Sequence, residues 1–183
     1  KESLQKLQTE YLDAFLVHWP GQDKARMLDT WKAMEHLYKK GKVKSIGVCN
    51  FEISQLTYLL EHCEIKPMID QIEHTPLMHD EKLISFCKEN DIQIMAWGPL
   101  LRGNLENKKM EEIAEKYNKI TAQLLLRWNI QQGIIPIPKS KNEQRLQHNI
   151  DVFDFEITKE DMEELNHMNE NHRTSFDPLT FDF

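Results

Sequence analysis

Two stretches decide the fold: LDAFLVHWP over Leu12–Pro20 and KSIGVCNF over Lys44–Phe51. Each is a short apolar run that ends in polar, chemistry-bearing residues. Between them, Met27, Trp31, Met34 and Tyr38 recur at three-to-four spacing, which predicts an amphipathic helix. Gly41 stands where a helix C-terminus favours a left-handed residue, and Lys39 and Lys40 suit the negative helix end. The strand runs, Leu12–Val17 and Ser45–Cys49, are almost continuously apolar, as expected of parallel strands buried on both faces. The pattern predicts a strand–helix–strand unit.

The same alternation continues outward. Further apolar runs lie at Met68–Ile72, Ile92–Ala96 and Ile134–Ile137. Between them come helical stripes: Ile53, Leu56 and Leu60; Leu83, Ile84 and Cys87 behind a candidate N-cap, Asp80; and Leu124, Leu125 and Trp128, capped by Thr121 and closed by Gly133. Thr158 is placed to cap a last helix carrying Met162, Leu165 and Met168. No linker or low-complexity segment interrupts the series, so residues 1–183 are expected to form one α/β domain with a parallel sheet. A doubly wound sheet and a (β/α)8 barrel both fit. Five strands are visible, whereas a barrel needs eight and about 250 residues. The chain starts at Lys1, without methionine and within a helical pattern, so about three missing βα units are expected before it.

Composition narrows the function. With 23 Lys+Arg against 30 Asp+Glu the net charge is −7, the wrong sign for a general nucleic-acid binder, although a local basic patch stays open. No apolar run approaches the ~18 residues of a membrane helix. Cys49, Cys63 and Cys87 form no CxxC pair and are odd in number. That argues against a disulfide scaffold or zinc site and for a reducing, cytoplasmic compartment. No signal peptide is visible.

In either architecture the chemistry gathers at the strand C-termini. Those ends read His18-Trp19-Pro20, Cys49-Asn50-Phe51, Gln71-Ile72-Glu73-His74, Trp97-Gly98-Pro99-Leu100 and Pro138-Lys139-Ser140. Singly, each has an ordinary explanation: a structural histidine, a turn asparagine, a core tryptophan. Their concurrence on one rim points to a site. After Lys139-Ser140, Asn142 leads into a helical pattern over Glu143–Asn149, with Arg145 in its first turn. A helix start beside two cations attracts anions, and in an acidic chain suggests a phosphorylated cofactor. A solvated Lys/Arg pair on a surface helix is the open alternative.

From Ser3 to Phe183 the chain resembles the aldo-keto reductases. Leu16-Val17-His18-Trp19-Pro20 is similar to the family's fourth-strand segment, Lys44–Phe51 to its fifth-strand signature, and Ile137-Pro138-Lys139-Ser140 with Arg145 and Asn149 to its cofactor-phosphate signature. The ending, His172-Arg173-Thr174 to Phe183, resembles prokaryotic diketogulonate-reductase-like members. The resemblance implies an N-terminally truncated (β/α)8 TIM barrel and an NADPH-dependent reductase of aldehydes or ketones. It implies His18 as the histidine that orients or helps protonate the carbonyl, and Trp19 as a substrate contact. Asn50 and Gln71, joined by Cys49, would hold the nicotinamide carboxamide, and Trp97 would stack on its ring. Gly98 and Leu100 would border the cofactor. Lys139, Ser140 and Arg145 would bind the 2′-phosphate, Arg145 through paired hydrogen bonds, and Asn149 the adenine.

The departures matter too. The family's Asp, Tyr and Lys lie on strands this chain does not contain, and none of Tyr11, Tyr38, Tyr58 or Tyr117 is expected at a strand end. Gly98 replaces a more usual Ser, His148 an acidic or small residue, and Asp70 an Asn. The isolated chain is therefore expected to be inactive. Its missing N-terminal part would belong to the parent protein, and its two open strand edges would make it aggregation-prone. Two other functions compete. One is a non-catalytic NADP-binding or scaffold module. The other is a metal-dependent hydrolase using His18, Glu73 and His74, disfavoured because adjacent strand residues point to opposite faces.

Overall fold

The computed structural model describes residues 2–182, which fall into two compact units. The first holds residues 2–72, 81–93 and 175–182; the second holds 73–80 and 94–174.

The first unit opens with helix α1 (Glu2–Leu7), followed by β1 (Leu12–Val17), α2 (Lys24–Lys39), β2 (Val43–Cys49), α3 (Ile53–His62), β3 (Ile69–Glu73, its last residue in the second unit) and α4 (Glu81–Glu89). β1 pairs with β2 and β2 with β3, both in parallel, as the strand–helix–strand reading expects. The Asp23 carboxylate caps α2 by accepting from the Ala25 and Arg26 amides at 2.9 and 3.1 Å. Gly41, past the end of α2, takes φ +65°. On α3 the buried positions are Leu56 and Leu59, so the expected stripe through Leu60 is shifted by one residue. The buried Glu35 carboxylate accepts from the Glu64 and Ile65 amides at 2.8 Å, and the Trp31 indole donates to the Ile65 carbonyl at 2.9 Å. Those bonds fix the turn that enters β3.

Gly47 is where the two-sided packing is tightest. A Cβ there would stand 2.5 Å from the Ile69 carbonyl oxygen and 2.8 Å from a Leu16 methyl. Glycine is required at this position because β1, β2 and β3 close on one another across it.

The second unit contains β4 (Gln93–Trp97, its first residue in the first unit), a 3₁₀ turn over Leu101–Gly103, α5 (Lys108–Lys116), α6 (Thr121–Gln131), β5 (Ile135–Pro136), α7 (Glu143–Ile150) and α8 (Lys159–Asn166). β4 and β5 are parallel, with Met95 abreast of Ile135 and Ala96 of Pro136. Met110, Ile113, Leu124, Leu125, Trp128 and Leu165 form its core. Thr158 caps α8 as expected, accepting from the Asp161 amide. Thr121 does not cap α6. It is the first helical residue, and the Gln123 side chain reaches back to accept from the Ile120 amide at 3.2 Å.

Two strand expectations need correction. β1 is not buried on both faces: its middle residues are exposed, Phe15 among them. β5 shrinks to two residues, although the Ile137 amide still donates to the Ala96 carbonyl at 3.0 Å. Pro136 and Pro138 supply no N–H, which limits the ladder. Ile135 and Ile137 remain exposed beside it.

Candidate active site

In the first unit the rim residues are assembled by the strand register. Cys49 lies abreast of Gln71 in the β2–β3 pair, and the Asn50 amide continues that ladder by donating to the Gln71 carbonyl at 3.0 Å. Asn50 is buried and left-handed, at φ +60°, a conformation that Asn tolerates better than most residues. Its side-chain amide donates to the His18 carbonyl at 3.3 Å, which ties the end of β2 to the end of β1. His18 itself is exposed and Gln71 half-buried. Burial pushes the Cys49 thiol up to about 12, so it is a neutral, weak donor at physiological pH rather than a nucleophile.

Beside this group, Asp70 is fully buried. One carboxylate oxygen accepts from the Phe51 amide at 3.5 Å, while the other has no hydrogen-bond partner among the described residues. Burial, aided by the charge of Glu52, holds its carboxyl well above the ordinary carboxylate range. Trp19 is buried beneath the chain's final segment. Phe181 packs on it at 4.8 Å between ring centroids, Phe176 at 6.3 Å, and the two phenylalanines stack at 4.3 Å. Gln22 holds the same segment by donating to the Phe181 carbonyl at 3.0 Å.

In the second unit a single cavity of about 760 Å³ gathers seven residues singled out from the sequence: Trp97, Gly98, Leu100, Lys139, Ser140, Arg145 and Asn149. Arg102, Lys141 and His148 line it as well, and among the described residues no Asp or Glu does. In a chain of net charge −7 that is a marked local excess of positive charge. Among the described residues, Arg102, Lys139, Lys141 and Arg145 make no ion pair. Asn142 caps α7 by accepting from the Arg145 amide at 2.9 Å, and the Ser140 hydroxyl accepts from the Asn142 amide at 3.1 Å. The turn that opens α7 thus holds Ser140 and Arg145 at a positive helix end.

The turn after β4 also lines the cavity. Gly98 takes φ +62°, and Leu101 and Arg102 are left-handed in succession at +51° and +54°. For residues with a Cβ this costs roughly 1–2 kcal/mol each. The Leu101 side chain offsets part of it by packing into the core cluster. The Arg102 guanidinium lies 5.5 Å from the centre of the Trp97 ring. Arg102 carries no sequence motif; only the backbone geometry singles it out.

Glu73 and His74 have other partners. The buried Glu73 carboxylate accepts from the Thr174 amide, through both oxygens at 3.1 Å, and from its hydroxyl. His74 stacks on Trp128 at 4.6 Å and shares a 2.9 Å hydrogen bond with the Asn129 side chain, leaving Nε2 without a partner. Burial pushes it down to about 4. No group of three His, Cys, Asp or Glu able to hold a metal occurs among the described residues. Of the tyrosines, Tyr117 is committed to structure: its hydroxyl donates to Asp161 and accepts from the Thr158 amide.

The fold is that of an α/β protein: parallel strands with a carboxamide-bearing rim in the first unit, and a cationic cavity in the second. Residues 1–170 match the aldo/keto reductase family, and the chain belongs to it. It is 46 % identical over 179 residues to a glyoxal reductase of Bacillus subtilis, covering 97 % of this chain and 64 % of that protein. An aldo-keto reductase from a Medee basin deep-sea metagenome library superposes with a TM-score of 0.95 at 37 % identity, over 100 % of this chain and 68 % of that one. A Bombyx mori aldo-keto reductase in complex with NADP gives a TM-score of 0.86 at 38 % identity, over 94 % of this chain and 62 % of that one. The chain thus spans about two thirds of the length of its relatives. Among the described residues no helix is long and apolar enough to cross a membrane.

Proposed function

We propose that this chain is the cofactor-binding portion of an NADPH-dependent oxidoreductase that reduces small aldehydes or ketones to alcohols. The observation that carries the reading is the acid-free cavity in which Trp97 meets Lys139, Ser140, Arg145 and Asn149. It suits a polyanion with flat rings: Lys139 and Arg145 take the 2′-phosphate with Ser140, Asn149 takes the adenine, and Trp97 offers a stacking face beside Gly98 and Leu100. A nicotinamide held there would supply a hydride for the carbonyl carbon. Asn50 and Gln71, with the Cys49 thiol as a further donor, orient its carboxamide and so select the face it presents. His18 is free to meet the carbonyl oxygen, and Trp19 borders the substrate. The likeness to a glyoxal reductase supports a small dicarbonyl substrate.

In this reading residues 1–183 are one partial barrel of about five of the eight βα units, with proton transfer left to an Asp/Tyr/Lys set elsewhere in the parent protein. Two apolar grooves support it. One, of about 610 Å³, runs along β1 past Phe15, Met27 and Met34. The other, of about 530 Å³, runs along β5 past Ile135, Leu146, Ile150 and Phe153. Both lie where the next βα units of a closed barrel would pack. The three free cysteines agree with a cytoplasmic setting. The second reading, a non-catalytic NADP-binding module, draws on the same cavity and on the commitment of Tyr117 to Asp161.

The test is Arg145→Ala. Losing a charge-assisted pair weakens NADPH binding about 10- to 100-fold, while NADH, which has no 2′-phosphate, is almost unaffected. Equal losses for both cofactors contradict the assignment.

A further inference from the structure

The link between β2 and α3 is three residues long, Asn50, Phe51 and Glu52. Each of its backbone amides has an acceptor. Asn50 donates to the Gln71 carbonyl at 3.0 Å, Phe51 to the Asp70 side chain at 3.5 Å, and Glu52 to the Gln55 side chain at 2.9 Å. Asn50 explains the change of partner along the link. Left-handed at φ +60°, it turns the chain out of the β2–β3 ladder, so the Phe51 amide meets a side chain instead of a strand carbonyl. That side chain, abreast of Val48 on β3, is fully buried, and its second oxygen has no hydrogen-bond partner among the described residues.

We propose that Asp70 is a positioning residue for the nicotinamide end of the site: its buried side chain holds the Phe51 amide, and with it the left-handed Asn50 that orients the cofactor's carboxamide. This rests on the cofactor reading above and extends it to a residue that acts through its neighbour. Left-handed backbone at a residue with a Cβ persists only where the surroundings impose it. Asn50 is held from both sides. Its own amide and side chain reach Gln71 and His18, and the next amide reaches Asp70. Of the acceptors that hold the link, two backbone carbonyls, the Gln55 carboxamide and the Asp70 carboxyl, only the last can ionise. The groups that face it are Cys49 on β2, Glu52 at the head of α3 and Cys87 on α4, none of them a cation. Protonated, Asp70 accepts from Phe51 with one oxygen and buries no charge. Ionised, it buries a charge whose second oxygen has no donor, which draws the carboxylate toward water and away from the amide. The hold on Asn50 is therefore complete while the carboxyl is protonated and is lost as the pH rises through its raised value.

The experiment is a titration of the full chain, and of Asp70→Asn and Asp70→Leu, with NADPH and with adenosine 2′-monophosphate, repeated as the pH is raised above the ordinary carboxylate range. The monophosphate has no nicotinamide, so it reports the phosphate end alone. Asp70→Leu removes the acceptor and is expected to weaken NADPH about tenfold while leaving the monophosphate as it was. Asp70→Asn supplies an acceptor that does not ionise and recovers most of that loss. In the parent, the affinity for NADPH relative to the monophosphate falls as the pH rises; in Asp70→Asn it falls less. Any other group that titrates is common to both proteins and cancels in that comparison. Hydrogen exchange at the Phe51 amide follows the same order, fast in Asp70→Leu and protected in Asp70→Asn, with the core amides of β2 and β3 slow in both. Superposable pH profiles for the parent and Asp70→Asn overturn the proposal. So does an Asp70→Leu variant that is folded by exchange and binds NADPH as the parent does, or one that loses both ligands equally. If the parent binds neither ligand, the cofactor reading itself falls, and this proposal with it.

Discussion

Asp70 and His74 lie four residues apart in sequence and respond to pH in opposite senses. Burial raises the Asp70 carboxyl above the ordinary carboxylate range. Its contribution to stability is complete at low pH and is lost as the pH rises through its raised folded value. His74 is held neutral from the other side, down at about 4. Its contribution is complete above the ordinary histidine value of about 6.5 and is lost as the pH falls from there toward 4, by about 3 kcal/mol. We expect melting temperatures to fall at both ends of the pH range. Asp70→Asn keeps an acceptor for the Phe51 amide and removes the ionisation. Its stability relative to the parent should therefore climb in thermal melts as the pH rises above the ordinary carboxylate range. Parallel curves for the two proteins would contradict that. Neither group is legible as a titration anomaly in the sequence, because depth of burial is a property of packing.

At the scale of elements, legibility followed the strength of the local signal. β1 matches its apolar run, Leu12–Val17, residue for residue, and α2 follows the Met27, Trp31, Met34 spacing. α7 was readable from Asn142, whose side chain does cap it. The misses have physical causes. Gln123 closes the start of α6 from three residues inside, so the more obvious Thr121 is passed over. β5 is cut short by prolines that lack donors. The Leu101–Arg102 turn left no trace, because left-handed backbone at residues with a Cβ is set by the burial of Leu101 and not by residue type. Gly47 shows the converse: one glycine in a strand motif marks a close approach that no side chain can enter. Gly47→Ala is expected to cost roughly 3 kcal/mol, because the clash is with the Ile69 carbonyl rather than a flexible side chain. Urea unfolding measures it, and a midpoint within error of the parent would show that β2 and β3 can part without loss.

At the scale of the molecule, the candidate site falls in two sets of residues, each organised within its own unit. Cys49, Asn50 and Gln71 are aligned by strand register, with Asn50 reaching the end of β1 at His18. Trp97, Lys139, Ser140, Arg145 and Asn149 share one cavity. The sequence motifs carried most of this, because each lies at a strand end and strand ends were easy to find. Apolar grooves run along β1 in the first unit and along β5 in the second. At ~25 cal/mol per Å² of apolar surface, covering several hundred Å² contributes on the order of 10 kcal/mol, as much as a whole domain's stability. The measurement that bears most directly on the account is a titration of the chain with NADPH, followed by tryptophan fluorescence with NADH as the control. The account predicts saturable quenching with NADPH favoured at least about tenfold. No saturable change, or equal affinity for the two cofactors, would contradict it.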